Sequence, residues 1–122
     1  MTMNVSWEGD AFDPDCPTRV VLDRVGDKWT VLIILILDEG PKRFNEIRLA
    51  IGGITPKVLT STLRSLVADG LVTREVFAEV PPRVEYGLTD LGRSLLEPVA
   101  ALSKWAERNV ASIEANREIS AS

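Results

Sequence analysis

Segment 55–88 restricts the fold of this chain more than any other part of the sequence. Thr55 can cap a helix with proline in its first turn, and Asp69 with the following glycine can end it. Two stretches rich in β-branched and aromatic residues follow, 71–77 and 83–88, and a loop with two prolines separates them. The segment therefore predicts one helix followed directly by a β-hairpin.

The residues before this segment predict three further helices. Apolar side chains spaced for one helical face indicate a first helix at about 18–25. Asp27 can cap a second helix, and the apolar run that continues through Leu37 would be buried, with Trp29 as a core aromatic. A short third helix begins near Phe44. Helix, turn, helix and hairpin together predict a mainly α fold with a small β-hairpin wing (α+β), the winged helix-turn-helix.

The last pattern is a long helix that Thr89 can cap and that Pro98 is expected to bend. Its apolar stripe is longer than one small domain can cover, so a two-fold homodimer is expected. The domain is expected at 14–113, between a flexible arm at 1–13 and a frayed tail at 114–122. The stripe residues expected at the dimer interface are Leu95, Val99, Leu102, Trp105, Ala106 and Val110.

Composition argues against several classes of protein. One cysteine and no histidine leave no internal disulfide and too few ligands for a metal, so no cofactor is expected. The chain also lacks histidine, the commonest general base, which argues against an enzyme. The longest apolar run, 31–37, is far shorter than the roughly 20 residues of a membrane helix. An acidic N-terminal stretch without basic residues is unlike a secretion signal and favours a cytoplasmic location.

Charge is unevenly distributed along the chain. The formal net charge is −4, but the stretch from Lys42 to Arg83 holds seven basic and four acidic residues, a balance of +3 that leaves −7 elsewhere. An acidic protein can therefore still present a basic face to a duplex. Because its net charge is negative, this protein is expected to bind weakly to DNA that lacks its specific site.

The fourth helix carries a polar stripe opposite its leucines. Lys57, Thr60, Ser61 and Arg64 recur at helical spacing, which fits either a solvated face or a surface that contacts DNA. Arg64 can reach a guanine or a phosphate, whereas the two hydroxyls make only short contacts.

Three further cations are candidates for phosphate contacts. Lys42 and Arg43 open the third helix, although Arg43 could pair with Glu46 instead. Arg83 lies at the base of the wing, where it could contact a phosphate or the minor groove, or serve as an ordinary surface charge.

Several sequence blocks occur in a characteristic order. They are Cys16-Pro17, Gly26-Asp27-Lys28-Trp29, Gly40-Pro41-Lys42-Arg43-Phe44-Asn45-Glu46-Ile47, Ile54-Thr55-Pro56-Lys57-Val58-Leu59, Asp69-Gly70-Leu71-Val72, Val80-Pro81-Pro82-Arg83-Val84-Glu85-Tyr86 and Leu88-Thr89-Asp90-Leu91-Gly92. As a set they resemble the HxlR family of bacterial winged-helix regulators, which are MarR-like. The resemblance implies a homodimeric transcription factor whose fourth helix enters the major groove and whose wing follows the backbone. A repressor is expected, with an activator as the alternative. Thr55 and Pro56, at the start of the fourth helix, are also among the expected DNA contacts. Ser61-Thr62 stands where Gln-Arg is common in the family, so base preference does not transfer.

The resemblance also implies a response to oxidants or reactive electrophiles, for which Cys16 is the candidate sensor. A helix N-terminus favours the thiolate, while nearby Asp13 and Asp15 disfavour it. The alternatives are a buried structural cysteine, a regulator controlled by a non-covalent small-molecule ligand, a protein-binding winged helix, and a cysteine-dependent enzyme that would lack a histidine.

Overall fold

A computed structural model of the chain describes residues 12–121. Within that range lie six helices and one two-stranded antiparallel hairpin. In chain order these are α1 (Pro17–Val25), α2 (Lys28–Leu37), α3 (Phe44–Ala50), α4 (Pro56–Ala68), β1 (Val72–Phe77), β2 (Arg83–Leu88), α5 (Asp90–Arg93) and α6 (Leu96–Ala121). The predicted winged helix-turn-helix is confirmed, and the hairpin, residues 72–88, is called the wing below. Most of the predicted flexible arm, residues 1–11, lies outside the described residues.

The core forms around α2. Because this helix is apolar on more than one face, other elements pack against it from several sides. Ile33 and Ile34 have no exposed surface, and α3, α4 and the wing pack around them. The other elements contribute Ile47, Ile51, Ile54, Leu59, Leu63, Leu66, Leu71, Val72 and Leu88. Burial of a side chain of this size stabilises the fold by about 1.5–3 kcal/mol, so the leucine face of α4 fixes that helix firmly to the core. Trp29 packs against the edge of this core, as predicted.

The predicted N-terminal caps of α2 and α4 and the predicted stop of α4 are confirmed in detail. The Asp27 carboxylate accepts hydrogen bonds from the amides of Trp29 (3.1 Å) and Thr30 (3.2 Å), and Thr55 Oγ1 accepts one from the amide of Val58 at 3.2 Å. Gly70 ends α4 with a φ of +77°, which residues with a Cβ rarely adopt. Its amide and that of the next residue bond back into the last turn of α4, so the exit into β1 is fixed.

The long terminal helix is interrupted before the position the sequence suggests. Thr89 caps α5 through a 2.9 Å hydrogen bond from the amide of Gly92, as predicted, but the helix stops after four residues. It restarts at Leu96, so Pro98 lies in the first turn of α6. A proline clashes with the carbonyl four residues earlier and donates no amide hydrogen, and a first turn avoids both penalties. The prediction of a bend at Pro98 was therefore wrong in position, because the chain breaks one turn earlier.

Close packing explains the glycine of the Leu88–Gly92 block. Gly92 is buried against Leu71, just before β1, and a Cβ there would lie 2.0 Å from the carbonyl oxygen of Leu71. The side chain of Thr89 also donates a 2.6 Å hydrogen bond to the carbonyl of Gly70. These contacts lock α5 to the base of the wing.

The end of α6 differs from the expectation. Residues 114–121 continue the helix, whereas the sequence predicts a frayed tail from 114. All eight of these residues are exposed, so they make few contacts that would hold them in place. Fraying in solution stays a prediction. Among residues 12–121, no helix combines the length and the apolar character needed to span a membrane.

Candidate nucleic-acid interface

Helix α4 has two faces with different roles. Leu59, Leu63 and Leu66 are buried against the core, while the predicted stripe of Lys57, Thr60, Ser61 and Arg64 is exposed. Thr55 and Pro56 are also exposed at its N-terminus, where they begin the helix. The packing of the leucine face therefore presents a rigid polar surface to the outside.

The cations of this surface are available for other partners. Helix α4 itself contains no acidic residue. Within the described residues, no carboxylate lies at ion-pair distance from Lys57 or Arg64. Exposed cations supported by a rigid helix provide what a duplex recognises first, a positive charge at a fixed position.

Lys42 and Arg43 lie beside the wing, but they differ in exposure. The Lys42 backbone pairs with Tyr86 through hydrogen bonds of 2.9 and 2.8 Å, which form an isolated antiparallel bridge at the free edge of β2. Its Nζ lies 3.1 Å from Glu39 Oε1, so this cation already has a partner. Arg43 is exposed, and its amide rather than its guanidinium bonds to Glu46, at 2.7 Å. Of the two, Arg43 is therefore the more accessible cation.

The wing has two chemically distinct faces. Residues paired across antiparallel strands share a face, and successive residues alternate between faces. The inner face contains the pairs Val72 with Leu88, Arg74 with Tyr86 and Val76 with Val84. The outer face contains the pairs Thr73 with Gly87, Glu75 with Glu85 and Phe77 with Arg83. Because Val72 and Leu88 are buried in the core, the inner face is the one directed toward α4.

On the outer face, Arg83 is enclosed by partners from its own hairpin. Its guanidinium pairs with Glu79 at 2.7 Å and with Glu85, and its Cζ lies 3.9 Å from the centre of the Phe77 ring. We call these four residues the Arg83 clamp. The hydrogen bond from Arg83 holds the pKa of Glu79 below its ordinary value, with a smaller contribution from the charge of Arg43, and the carboxylates raise the pKa of Arg83.

The clamp changes the interpretation of Arg83. The sequence suggests a phosphate contact, yet two carboxylates already neutralise this guanidinium and only 25% of its side chain is exposed. Arg74, which the sequence patterns did not single out, is instead exposed on the inner face. Strand geometry carries this signal, since residues two apart share a face and Arg74 is two residues from buried Val72.

The residues expected at a dimer interface divide into two groups. Leu102, Trp105, Ala106 and Val110 are exposed on α6, with 62% of Leu102 and 53% of Trp105 accessible. Val99 is 4% exposed and Leu95 packs against the core. The assignment of Val99 to an interface was wrong, because the first turns of α6 lie on α2 and cover it within the chain.

Helix α1 contributes a second exposed apolar surface. None of its nine residues is buried, and Val20, Val21 and Leu22 are each more than half exposed. Arg24 ties this helix to the end of α4, because its guanidinium bonds to the carbonyl of Ser65 at 3.1 Å and pairs with Asp69. A displacement of α1 would therefore act on α4 directly.

Cys16 lies at the N-terminal boundary of α1 and is half-buried. Its amide donates a 3.0 Å hydrogen bond to the carbonyl of Asp13, and its own carbonyl accepts the first bond of the helix, from Arg19 at 3.0 Å. A chemical change of this side chain would occur where α1 begins.

A recognition helix held on a three-helix core, with a hairpin beside it, defines the winged helix-turn-helix class of DNA-binding proteins. Comparison with known proteins identifies the family within that class. The HxlR-like helix-turn-helix model matches residues 24–114. The chain belongs to this family and is a transcriptional regulator with a DNA-binding helix-turn-helix, not an enzyme.

Individual relatives agree with the family over most of the chain. The HTH-type transcriptional regulator YtfH of Escherichia coli is 44% identical over 111 residues, which cover 91% of this chain and 88% of that protein. The structure of the transcriptional regulator ytfH from Salmonella typhimurium has a TM-score of 0.84 at 42% identity and covers 91% of this chain and 99% of that one. The redox regulator HypR in its reduced form has a TM-score of 0.75 at 43% identity, with coverage of 81% and 98%.

Proposed function

We propose that this protein is a cytoplasmic repressor that binds a pseudo-palindromic operator in duplex DNA as a homodimer. The observation that carries the proposal is the exposed stripe of α4, where Lys57 and Arg64 stand on a helix whose other face is fixed in the core. Thr55, Pro56, Thr60 and Ser61 complete the surface that enters the major groove, and Arg43 approaches the backbone beside it.

Footprinting of the region upstream of the gene tests this proposal. We expect protection of two half-sites whose centres are about one helical turn apart, or a multiple of it, since a two-fold dimer places both α4 helices on one side of the duplex. Transcription of a template carrying that region should fall when protein is added. A rise would make the protein an activator.

A protein-binding role for the same stripe predicts different behaviour. Binding to DNA releases counterions from the phosphates, so affinity should fall steeply as salt increases. A surface that meets another protein would show no such dependence on duplex DNA, and the absence of salt-dependent duplex binding would contradict the proposed function.

The homodimer is supported by two apolar surfaces that the chain leaves uncovered. Exposed apolar residues of α1 lie in one patch, and Leu102, Trp105 and Val110 lie along α6. Contiguous apolar patches of this kind mark interaction sites, and a second copy of the chain supplies the same surfaces in return.

Aspartates placed on α6 test the dimer. Leu102→Asp combined with Val110→Asp should yield monomers in sedimentation experiments and weaken operator binding strongly, because each monomer holds only one half-site. The matched control is Ala111→Asp with Ala115→Asp, which adds the same charge to exposed positions on the opposite side of the helix. A wild-type monomer at micromolar concentration would refute the dimer.

Cys16 is the proposed sensor of oxidants or electrophiles. HypR, a relative of similar fold, is described as a redox regulator. Cys16 lies at the N-terminal boundary of α1, and Arg24 of α1 contacts the end of α4. A bond formed at the thiol could therefore shift the exposed stripe of α4. Because the chain has one cysteine, the reversible products are a disulfide between two protomers, a mixed disulfide with a small thiol, or a sulfenic acid. For the first, two thiols lose two protons and two electrons to a quinone, which becomes a hydroquinone.

Operator binding by wild type and Cys16→Ser, reduced and then treated with diamide or a quinone, tests the sensor. Wild type should lose affinity on oxidation and regain it with a thiol reductant, whereas Cys16→Ser should not respond. Equal responses would exclude Cys16 as the switch and favour a non-covalent ligand. A largely apolar cavity of about 320 Å³ between α1 and α5 is the place where such a ligand would be sought.

A further inference from the structure

A cleft of about 270 Å³ separates α4 from the inner face of the wing. Thr60, Arg64 and Val67 line it from α4, and Arg74 and Tyr86 line it from the hairpin. Arg74 and Tyr86 are paired across the strands, one step beyond the buried pair of Val72 and Leu88. The core therefore holds both walls of the cleft at a fixed separation.

The chemistry of the cleft is that of an anion site. Arg64 and Arg74 bring guanidinium groups from two different elements, and Thr60 and Tyr86 add hydroxyl groups. No carboxylate is among the described residues that line it. No ion pair involving either arginine is present in the part of the chain that the structure describes. Two planar guanidiniums without acidic partners suit the oxygens of a phosphate.

The two faces of the wing are therefore opposite in charge. The outer face carries Glu75 opposite Glu85, and its arginine is neutralised inside the Arg83 clamp. The inner face carries one cation, Arg74, and no acidic residue. A polyanion is repelled by the outer face and attracted to the inner one.

The geometry points to a phosphate-binding site between α4 and the wing, in which Arg64 and Arg74 together hold one phosphodiester of the operator backbone. This site rests on the proposed DNA-binding function and adds a residue, Arg74, and a direction of approach. The wing contacts the duplex through its inner face, beside the groove that α4 enters, and Arg83 acts only as a positioning residue within the hairpin.

Binding of fluorescent duplexes by Arg74→Ala and Arg74→Lys tests the site. Arg74→Ala should weaken binding on the order of tenfold for operator and unrelated duplex alike, because a phosphate carries no sequence information. Because Arg64 still contacts the phosphodiester in this variant, the slope of log affinity against log salt should shrink by no more than about 0.9 for each such phosphate, thus by no more than about 1.8 for a dimer. Arg74→Lys should lose less affinity and keep the slope, since it retains the charge.

Two controls separate a direct phosphate bond from a general electrostatic field. Glu75→Gln changes the charge by one unit at the adjacent residue on the outer face and should alter affinity no more than about twofold. A duplex with a neutral methylphosphonate at the phosphate in question should bind wild type and Arg74→Ala equally, because the charge that Arg74 recognises is already absent.

The outcomes distinguish this site from the proposed function. If wild type binds duplex DNA and Arg74→Ala matches it in affinity and slope, the cleft is not a phosphate site, although DNA binding stands. A gain in Glu75→Gln as large as the loss in Arg74→Ala would also refute the site. A wild type that binds no duplex overturns both proposals. Circular dichroism of each variant should be unchanged, since Arg74 is exposed.

Discussion

Arg64 and Arg83 are both arginines within the basic stretch of the sequence, yet their surroundings differ. Arg64 projects from α4 with no acidic partner among the described residues, whereas two carboxylates and an aromatic ring enclose Arg83. A charge counted in a sequence is therefore not the same as a charge available to a ligand. The difference arises because α4 contains no acidic residue, while the strand alternation and the loop bring Glu79 and Glu85 to the face of Arg83.

The largest effect is expected from the support of the α4 surface. Leu63, on the buried face next to Arg64 in sequence, is 1% exposed. Leu63→Ala should lower the free energy of unfolding by about 2–5 kcal/mol, because it leaves a cavity beneath the helix. Urea denaturation measures this loss. A change below about 0.5 kcal/mol would mean that α4 is not held by its leucine face.

Arg64→Ala should weaken DNA binding and leave the stability of the fold nearly unchanged, in contrast to Leu63→Ala. Removal of its contact with the backbone phosphate should weaken operator binding on the order of tenfold and reduce its salt dependence, while stability stays within about 0.5 kcal/mol of wild type. Titration of a labelled operator and urea denaturation report the two quantities. Lys57→Ala, about two turns away on the same stripe, should mainly reduce the salt dependence. If both variants bind the operator as tightly as wild type, the proposal that α4 enters the major groove is wrong.

Arg83→Ala should affect the wing more than the DNA. Without its guanidinium, Glu79, Glu85 and Glu75 repel one another on the outer face, so amide hydrogen exchange in residues 77–84 should accelerate. Operator affinity should fall less than in Arg64→Ala, and the slope of affinity against salt should be unchanged. A slope that shrinks as much as expected for Arg74→Ala would show that Arg83 reaches the backbone after all.

The smallest effect is a dependence of the wing on acid. Because the folded pKa of Glu79 lies below its ordinary value of 4.5, its bond to Arg83 stabilises the wing fully above that pH and is lost as the pH falls through the lowered pKa. Amide chemical shifts of the wing followed from pH 6 downward should show this transition. Glu79→Gln should abolish it, and persistence of the same transition in Glu79→Gln would assign it to another group.

The sequence by itself determined the elements of this protein and their order. Amphipathic spacing, the caps at Asp27 and Thr55 and the stop at Gly70 are local signals, since each depends on residues within one or two turns. They placed α2, α4 and β2 correctly, and the order of the motifs indicated the family. The leucine and polar faces of α4 could be predicted for the same reason.

Tertiary structure alone decided which side chains are available. Val99 belongs to the apolar stripe of the terminal helix, but packing on α2 buries it, while Leu102 one turn later is exposed. The pairing register of the wing put Phe77 opposite Arg83 and turned Arg74 toward α4. Periodicity assigns a residue to a face of its own element, but it does not say what that face meets. The availability of a charge or an apolar surface depends on contacts between segments distant in sequence, which only the folded chain brings together.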